Sequence, residues 1–262
     1  MDLTAQAILE PLLTTFSVEV IRYLIAVFLV ITAIFFITKR GRSRNLHTEP
    51  ATAEQKRREV FYSILTALVF SVNGLYVYFG MQGGWALVYE DINLYPAWYL
   101  PICLIAMIIA HDAYFYWTHR LIHHRFLFRW VHHTHHRSIK PTAWAAYAFA
   151  PGEAFINGLF VPIWVTFVPT YEFVAFFFLA HMILRNAIGH SGYELFPIRM
   201  PGSKAFGWVT NVFHHDLHHR DIGENNFGLY FTWWDRWMGT EHPEYTQIVE
   251  KQKQARLEIP AS

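Results

Sequence analysis

The chain has 262 residues, 53% of them hydrophobic and 18% aromatic, and only 16% charged, where soluble domains carry roughly 25%. This balance excludes an ordinary soluble domain and points to a membrane protein built as one compact unit. A net charge of +1, with no basic patch interleaved with aromatics, leaves no footprint for nucleic acid; the single cysteine, Cys103, rules out an internal disulfide and a cysteine-based zinc site.

The first 16 residues lack the basic start of a secretory signal. Val18 to Ile37 is apolar except for Glu19 and Arg22 and exceeds the length, about 20 residues, that a bilayer requires. Lys39, Arg40, Arg42 and Arg44 follow, and residues 44–59 read as a polar loop. Phe61 to Phe79 is a second span. Gly80 to Tyr95 has no Lys or Arg and reads as an interfacial loop with aromatic anchors. Ala97 to Trp117 is a third span, running directly into a histidine-rich stretch. Ala154 to Ile188 is apolar and broken by Pro162 and Pro169. It reads as a helical hairpin with its tip at Val168–Glu172 in preference to one broken helix plus a re-entrant piece, because proline interrupts a helix. The end of the chain, residues 250–262, reads as a short exposed helix with a frayed tail.

Charge supports this topology. Residues 1–17, 80–96 and 168–172, the proposed outer segments, contain no Lys or Arg; of the 21 basic residues only Arg22 falls away from the opposite side. The expected fold is all-α and integral to the membrane, with about four to five transmembrane or re-entrant helices and a cytoplasmic histidine-rich helical cap. The expected divisions are residues 1–96, membrane helices and loop; 97–241, the catalytic domain; and 242–262, a tail. Either a bacterial inner membrane or the endoplasmic reticulum would suit.

The histidines are regularly spaced. His119 and His123 are four apart; His132, His135 and His136, and again His215, His218 and His219, repeat an i, i+3, i+4 pattern. Residues so spaced share a helix face, so each box can aim its imidazoles at one point, and imidazole is the commonest side-chain metal ligand. The three boxes supply more ligands than one zinc site needs and suit two metal ions. Iron, zinc, copper and nickel all accept imidazole. No HExxH motif is present, which removes the usual zinc-protease arrangement.

In the order HDAYFYWTHRLIHH, HHTHH, GHSGYELFP, HHDLHH and NNFGLYFTWWDRWMGT, the chain resembles the fatty acid hydroxylase and sterol desaturase superfamily over about residues 97 to 241, and PTAWAAYAF and FTWWDR look closest to the sterol desaturase branch. The resemblance implies a membrane oxygenase with a non-haem centre of two Fe ions, for which zinc may substitute on purification. It would use O2 and two electrons to hydroxylate or desaturate a lipid. Carried over residue by residue, it gives His119, His123, His132, His135, His136, His190, His215, His218 and His219 as ligands, with His124 a rival or partner of His123. The chain departs from many relatives at Tyr147 and Ala150, where they carry histidine, and His111 takes a place often held by a carboxylate.

Asp112, Asp216 and Asp235 are candidates for orienting ligand imidazoles through their second nitrogens; for Asp235 the alternative is an ion pair with Arg236 or Arg120. Asn186, one turn before His190, is placed either toward the metals or in helix packing. His111, His133 and His214 are expected beside the ligands rather than among them, His181 in packing, and His47 and His242 in solvent. Tyr114, Tyr116, Trp117 and Trp144 are candidates for the substrate pocket, with lipid or core contact as the alternative. No GxGxxG, haem or flavin motif is present, so electrons would come from a separate protein docking at Arg125, Arg129, Arg137, Lys140 and Arg220, unless these bind anionic headgroups. A membrane zinc-dependent hydrolase is the alternative enzyme. A metal carrier is disfavoured, since the spans lack the line of ionisable residues a pathway requires.

Overall fold

The computed structural model describes residues 4–40, 44–197, 199–220 and 224–257. Residues 1–3, Arg42 and the expected frayed end at 258–262 therefore lie outside the described residues. In chain order the elements are α1 (Ala5–Lys39), α2 (Ala53–Gly83), β1 (Val88–Tyr89), α3 (Tyr99–Ile122), α4 (Phe128–Val131), α5 (His133–His136), a 3-10 turn (Ala143–Tyr147), α6 (Pro151–Gly158), α7 (Phe160–Phe167), β2 (Thr170–Tyr171), α8 (Glu172–Gly189), α9 (Val212–Arg220), α10 (Trp233–Met238) and α11 (Pro243–Leu257). The protein is an all-α integral membrane protein. Helices α1, α2, α3 and α8 are each long and apolar enough to cross a bilayer.

The helices outrun the apolar segments read from sequence because their caps lie in polar flanks. Thr4 opens α1 by accepting from Ala7 N at 3.3 Å, and Thr52 opens α2 by accepting from Gln55 N at 3.1 Å. The second cap turns part of the expected polar loop, residues 53–59, into helix. Gly84 ends α2 at φ 78°, where a side chain would be strained.

The Ala154–Ile188 stretch is a hairpin, with its tip where the sequence placed it. Its first limb breaks between α6 and α7, at Gly158–Leu159, and not at Pro162. Pro162 is the third residue of α7, where the missing N–H removes no intrahelical bond. The tip is tied to the 80–96 loop by parallel pairing of Val88 with Thr170 and Tyr89 with Tyr171. Tyr99, at the start of α3, donates to Pro169 O at 2.7 Å. Helices α3 and α8 therefore both start at the tip, and both end among the histidines.

Among the described residues the core has three centres. Tyr23, Val27 and Val30 of α1 and Ile183 and Ala187 of α8 enclose Ala143, Ala146 and Tyr147 of the 3-10 turn. Met107, Phe160 and Phe178 join α3, α7 and α8. Tyr245 and Val249 of α11 are buried against Leu217 of α9 and anchor the helix, while residues 250–254, the described start of the expected exposed helix, are exposed or half-buried. Outward-facing Ile25, Phe28, Ile105, Phe176 and Phe177 present the apolar surface a bilayer covers.

Thr170 knots the tip: its buried hydroxyl donates to Val168 O at 2.9 Å and accepts from Trp164 Nε1 at 3.0 Å. Thr170→Val keeps the shape but strands the indole N–H. The expected result is a loss of about 1–3 kcal/mol, read as a lower thermal midpoint in detergent, with helix content unchanged.

Candidate metal centre

Four stretches deliver imidazoles to one place. His119 lies in the last turn of α3 and His123 caps it. His132 joins α4 to α5, which carries His135 and His136. His190 caps α8. His215, His218 and His219 lie on α9. The ring nitrogens fall into two groups, each within 4.8 Å: His119, His123, His132, His136 and His218; and His135, His190, His215 and His219.

The boxes do not each aim at one point. His132 and His136 enter the first group and His135 the second; His215 and His219 enter the second and His218 the first. Adjacent residues on a helix diverge by about 100°, as a 3.6-residue turn requires. Accordingly His135 and His136 stand at 89° with centroids 5.9 Å apart, and His218 and His219 repeat both values. Each HxxHH box thus straddles the two groups.

Hydrogen bonding decides which ring nitrogens face inward. Nδ1 of His119 donates to Phe227 O at 3.0 Å, that of His135 to Ala148 O at 3.4 Å, that of His190 to Asn186 O at 2.8 Å and that of His218 to Asn225 O at 2.7 Å. A carbonyl oxygen only accepts, so these Nδ1 atoms carry the proton and the Nε2 atoms are bare lone pairs. Nε2 of His135 nevertheless faces Nε2 of His190 at 3.1 Å, and buried Nε2 of His218 has no hydrogen-bond partner among the described residues. His119 faces His132 through Nε2 at 3.0 Å, and Glu153 Oε1 lies 2.7 Å from His132 Nδ1. Metal–nitrogen bonds of about 2.1 Å at a right angle separate two nitrogens by about 3.0 Å. The donor set fits a metal cation in each group.

Burial pushes the ring pKa of His190 and of His218 down to about 4. Burial, followed by the neighbouring imidazoles, also pushes down His123, His132, His135, His136, His215 and His219. These rings are held neutral, the form that binds metal.

A fatty acid hydroxylase family model matches residues 104–240, just over half of the chain and all of the histidine segments. The chain belongs to the fatty acid hydroxylase family. Over 199 residues it is 29% identical to the Delta(7)-sterol 5(6)-desaturase ERG3B of Gibberella zeae, covering 75% of this chain and 60% of that protein. It is 29% identical to the lathosterol oxidase of Rattus norvegicus, covering 72% and 62%, and 32% identical to the methylsterol monooxygenase 1 of the same species, covering 62% and 54%. The matches place it on the sterol desaturase side of the family, and the aligned part spans less than two thirds of these relatives' length. No solved structure matches the chain.

Within this family frame, the remaining residues take these places. His124 is exposed, packs on Phe126 and joins neither group, whereas His123 joins the first. None of the three aspartates touches a grouped imidazole as expected, because irregular backbone and a loop histidine claim them. Asp112 accepts from Tyr230 N at 2.8 Å, Phe231 N at 3.3 Å and Trp233 Nε1 at 3.0 Å. Asp235 accepts from Phe227 N at 2.8 Å, Gly228 N at 2.9 Å and Thr240 Oγ1 at 2.8 Å, while Arg236 pairs with Glu241. Asp216 pairs with His47 at 2.9 Å, so His47 is not simply solvated. Asn186 holds His190 through its backbone carbonyl, and its side chain donates to Ala146 O at 2.7 Å.

His111 meets Tyr230 OH at 2.9 Å, and His181 packs on Tyr230. His214 lies 3.5 Å from Asp235, and His242 accepts from Glu244 N at the start of α11. His133 is exposed and does not sit beside the groups as expected. Glu153 was missed by sequence reasoning, yet it is the one Asp, Glu, Lys, Arg or His between Lys140 and Glu172. A lone carboxylate in an apolar stretch is a signal of function.

A cavity of about 340 Å³ lies between α1, α2, α3, α7 and α8, bounded by Phe70, Phe115, Phe149, Phe160 and Phe178. That volume falls in the range of about 300–1,000 Å³ for small-molecule sites. Phe115 contacts His119 and Phe149 contacts His135, with ring centroids 5.0 and 5.2 Å apart, so one aromatic ring separates the cavity from each group. It takes none of Tyr114, Tyr116, Trp117 and Trp144. Tyr114 donates to Ile156 O, Tyr116 meets Thr240, Trp117 is surface and Trp144 packs on Tyr23 and Phe28.

Glu153→Gln should lower metal affinity about 10–100-fold, measured by chelator competition, with helix content unchanged. Metal-free protein should also lose stability as pH falls. The unfolded chain binds protons at about 6.5 and the folded chain only near 4, so stability is complete above 6.5 and declines toward 4. Each excluded histidine contributes about 1.4 kcal/mol per pH unit; a thermal midpoint independent of pH over this window would contradict the assignment.

Proposed function

We propose that this protein is a membrane-bound oxygenase that hydroxylates or desaturates a lipid, using two Fe ions, O2 and electrons from a separate redox protein. The observation that carries the proposal is the pair of groups of neutral imidazoles whose bare Nε2 atoms face one another beside an apolar cavity. Family membership and the nature of the relatives, a desaturase, an oxidase and a monooxygenase, support an oxidative reaction and leave the zinc-hydrolase alternative without support.

His119, His123, His132, His136 and His218 would hold one ion, and His135, His190, His215 and His219 the other. Iron bound there supplies redox chemistry for breaking an unactivated C–H bond, which acid–base side chains lack. The chain's own groups do the rest. Carbonyls of Ala148, Asn186, Asn225 and Phe227 orient four rings, and Glu153 fixes a fifth. Phe115 and Phe149 separate the imidazoles from solvent and present the apolar substrate to them. The proposed catalytic domain is residues 97–241, with α1 and α2 completing the cavity wall. The basic residues gathered away from the hairpin tip support a cytoplasmic histidine side, by the positive-inside rule. Exposed Arg125, Arg129, Arg137 and Arg220 there offer a docking face for the acidic surface of a donor.

Detergent-purified protein should contain about two irons per chain, one for each group, and take up oxygen when reductant and lipid are supplied. His135→Ala and His123→Ala should lose iron and uptake, while His124→Ala should keep both. Tightly held zinc, with no uptake after iron reconstitution, would overturn the oxygenase assignment.

A further inference from the structure

Five of the ten tryptophans gather on one surface. Trp233 and Trp237 are four apart on α10 and stack with centroids 5.9 Å apart and planes at 9°. Trp208, in the loop before α9, stacks on Trp233 at 6.1 Å and 13°. Trp234 meets Trp237 at 5.5 Å and Trp117 of α3 at 6.0 Å. Stacked indoles are ordinary in a core, but here Trp117, Trp208 and Trp237 are 48%, 41% and 65% exposed, and Phe206 and Met238, close by in the chain, are exposed as well. A contiguous exposed aromatic patch marks an interaction surface.

The patch has a defined level in the bilayer. Ile102, Ile105 and Ile109 are exposed along one side of α3, the stripe this span turns to lipid. Exposed Trp98 and Trp117 bracket the stripe. At 1.5 Å per residue they stand about 28 Å apart along the axis, close to the roughly 30 Å of a hydrocarbon core. Trp117 therefore stands at the boundary on the histidine side, and the indoles of α10 continue sideways from it. Tryptophan is enriched at that boundary because its ring is largely apolar and its N–H is polar. Cations suit the same level. Exposed Arg120 lies over the Trp117 ring at 6.0 Å, and exposed Lys204 precedes Phe206. Long basic side chains lie along apolar surface and reach phosphates with their heads.

We propose that Trp208, Trp233 and Trp237, with Phe206 and Met238, form a surface that lies in the bilayer on the histidine side, at the boundary between headgroups and acyl chains. The bilayer thereby holds α10 and the loop carrying Trp208, in addition to the four spans. Lipid is favoured over a protein partner because the contact of Trp117 with Trp234 makes the patch continuous with the lipid-facing stripe of α3. The two faces of α10 give the contact a use. Asp235, opposite Trp233 and Trp237 and fully buried, accepts from Phe227 N and Gly228 N, and Phe227 O accepts from His119 Nδ1. Lipid against one face of α10 thus steadies the backbone that the other face holds in place for a grouped imidazole.

The test is nitroxide accessibility of the protein in lipid nanodiscs. Cys103, the one native cysteine, is buried and is replaced by alanine; single labels are placed at Trp237→Cys, Trp208→Cys, Ile105→Cys and Glu250→Cys. Ile105 is the lipid reference, exposed on the apolar side of α3, and Glu250, exposed on polar α11, is the water reference. Labels at 237 and 208 should be reached by oxygen more readily than by a soluble nickel chelate, as at 105, and should read a depth of about 5–10 Å into the headgroup and acyl boundary. Nickel access at 237 equal to that at 250 would put the face in water and overturn the proposal. Protection from both reagents would mean that a second copy of the chain covers it, and would overturn the proposal as well. Trp237→Phe, which keeps an aromatic ring, serves if the labelled variants do not fold. The emission it removes should be quenched by lipid brominated high on its acyl chains and not by aqueous iodide; the opposite pattern would overturn the proposal.

Discussion

Bare imidazole nitrogens confront one another at about hydrogen-bond distance with no proton between them, as between His135 and His190 at 3.1 Å. Two lone pairs that close repel, and nothing in an apolar interior screens them. The arrangement holds only if the outer nitrogens are firmly bonded and a cation takes the centre. Much of the local structure serves the first condition. Asn225 and Phe227 present carbonyls to His218 and His119 because Asp235 gathers the amides of Phe227 and Gly228, and Asp112 those of Tyr230 and Phe231. The buried aspartates thus act on the rings through the backbone, one bond removed from where direct contact would put them.

Dividing each HxxHH box between two groups makes the centre depend on the whole fold. A single helix can direct i and i+4 together, but i+3 and i+4 diverge by about 100°. His136 and His218 therefore need each other from separate helices, as do His135 and His219. Neither group is complete without α9, and the second also needs the end of α8. The groups form only when distant segments dock, so binding of a metal there would be coupled to folding.

The membrane half supplies an apolar chamber next to these polar groups. Breaking the hairpin's first limb at Gly158–Leu159 turns α7 against α3 and α8, where Phe160 meets Met107 and Phe178. The cavity beside this cluster reaches from the hairpin tip to Phe149. Its lining is mainly apolar, as suits a mainly apolar molecule.

The sequence by itself determined the histidine boxes, the apolar spans and the hairpin with its tip at Val168–Glu172, because spacing, hydropathy and proline act over a few residues. It also carried the family. It left open the choice between His123 and His124, which depends on the direction of one capping residue. It gave Asp112, Asp216 and Asp235 direct contact with the ligands, since the demand of buried amides for acceptors is set by distant backbone. Only the tertiary structure decided how the boxes are shared between two groups, that Glu153 reaches His132, that Tyr245 buries one face of α11, and that α10 sets Trp234 against Trp117 of α3. Each of these joins residues far apart in the chain, and such contacts are settled by how helices pack, which no local pattern records.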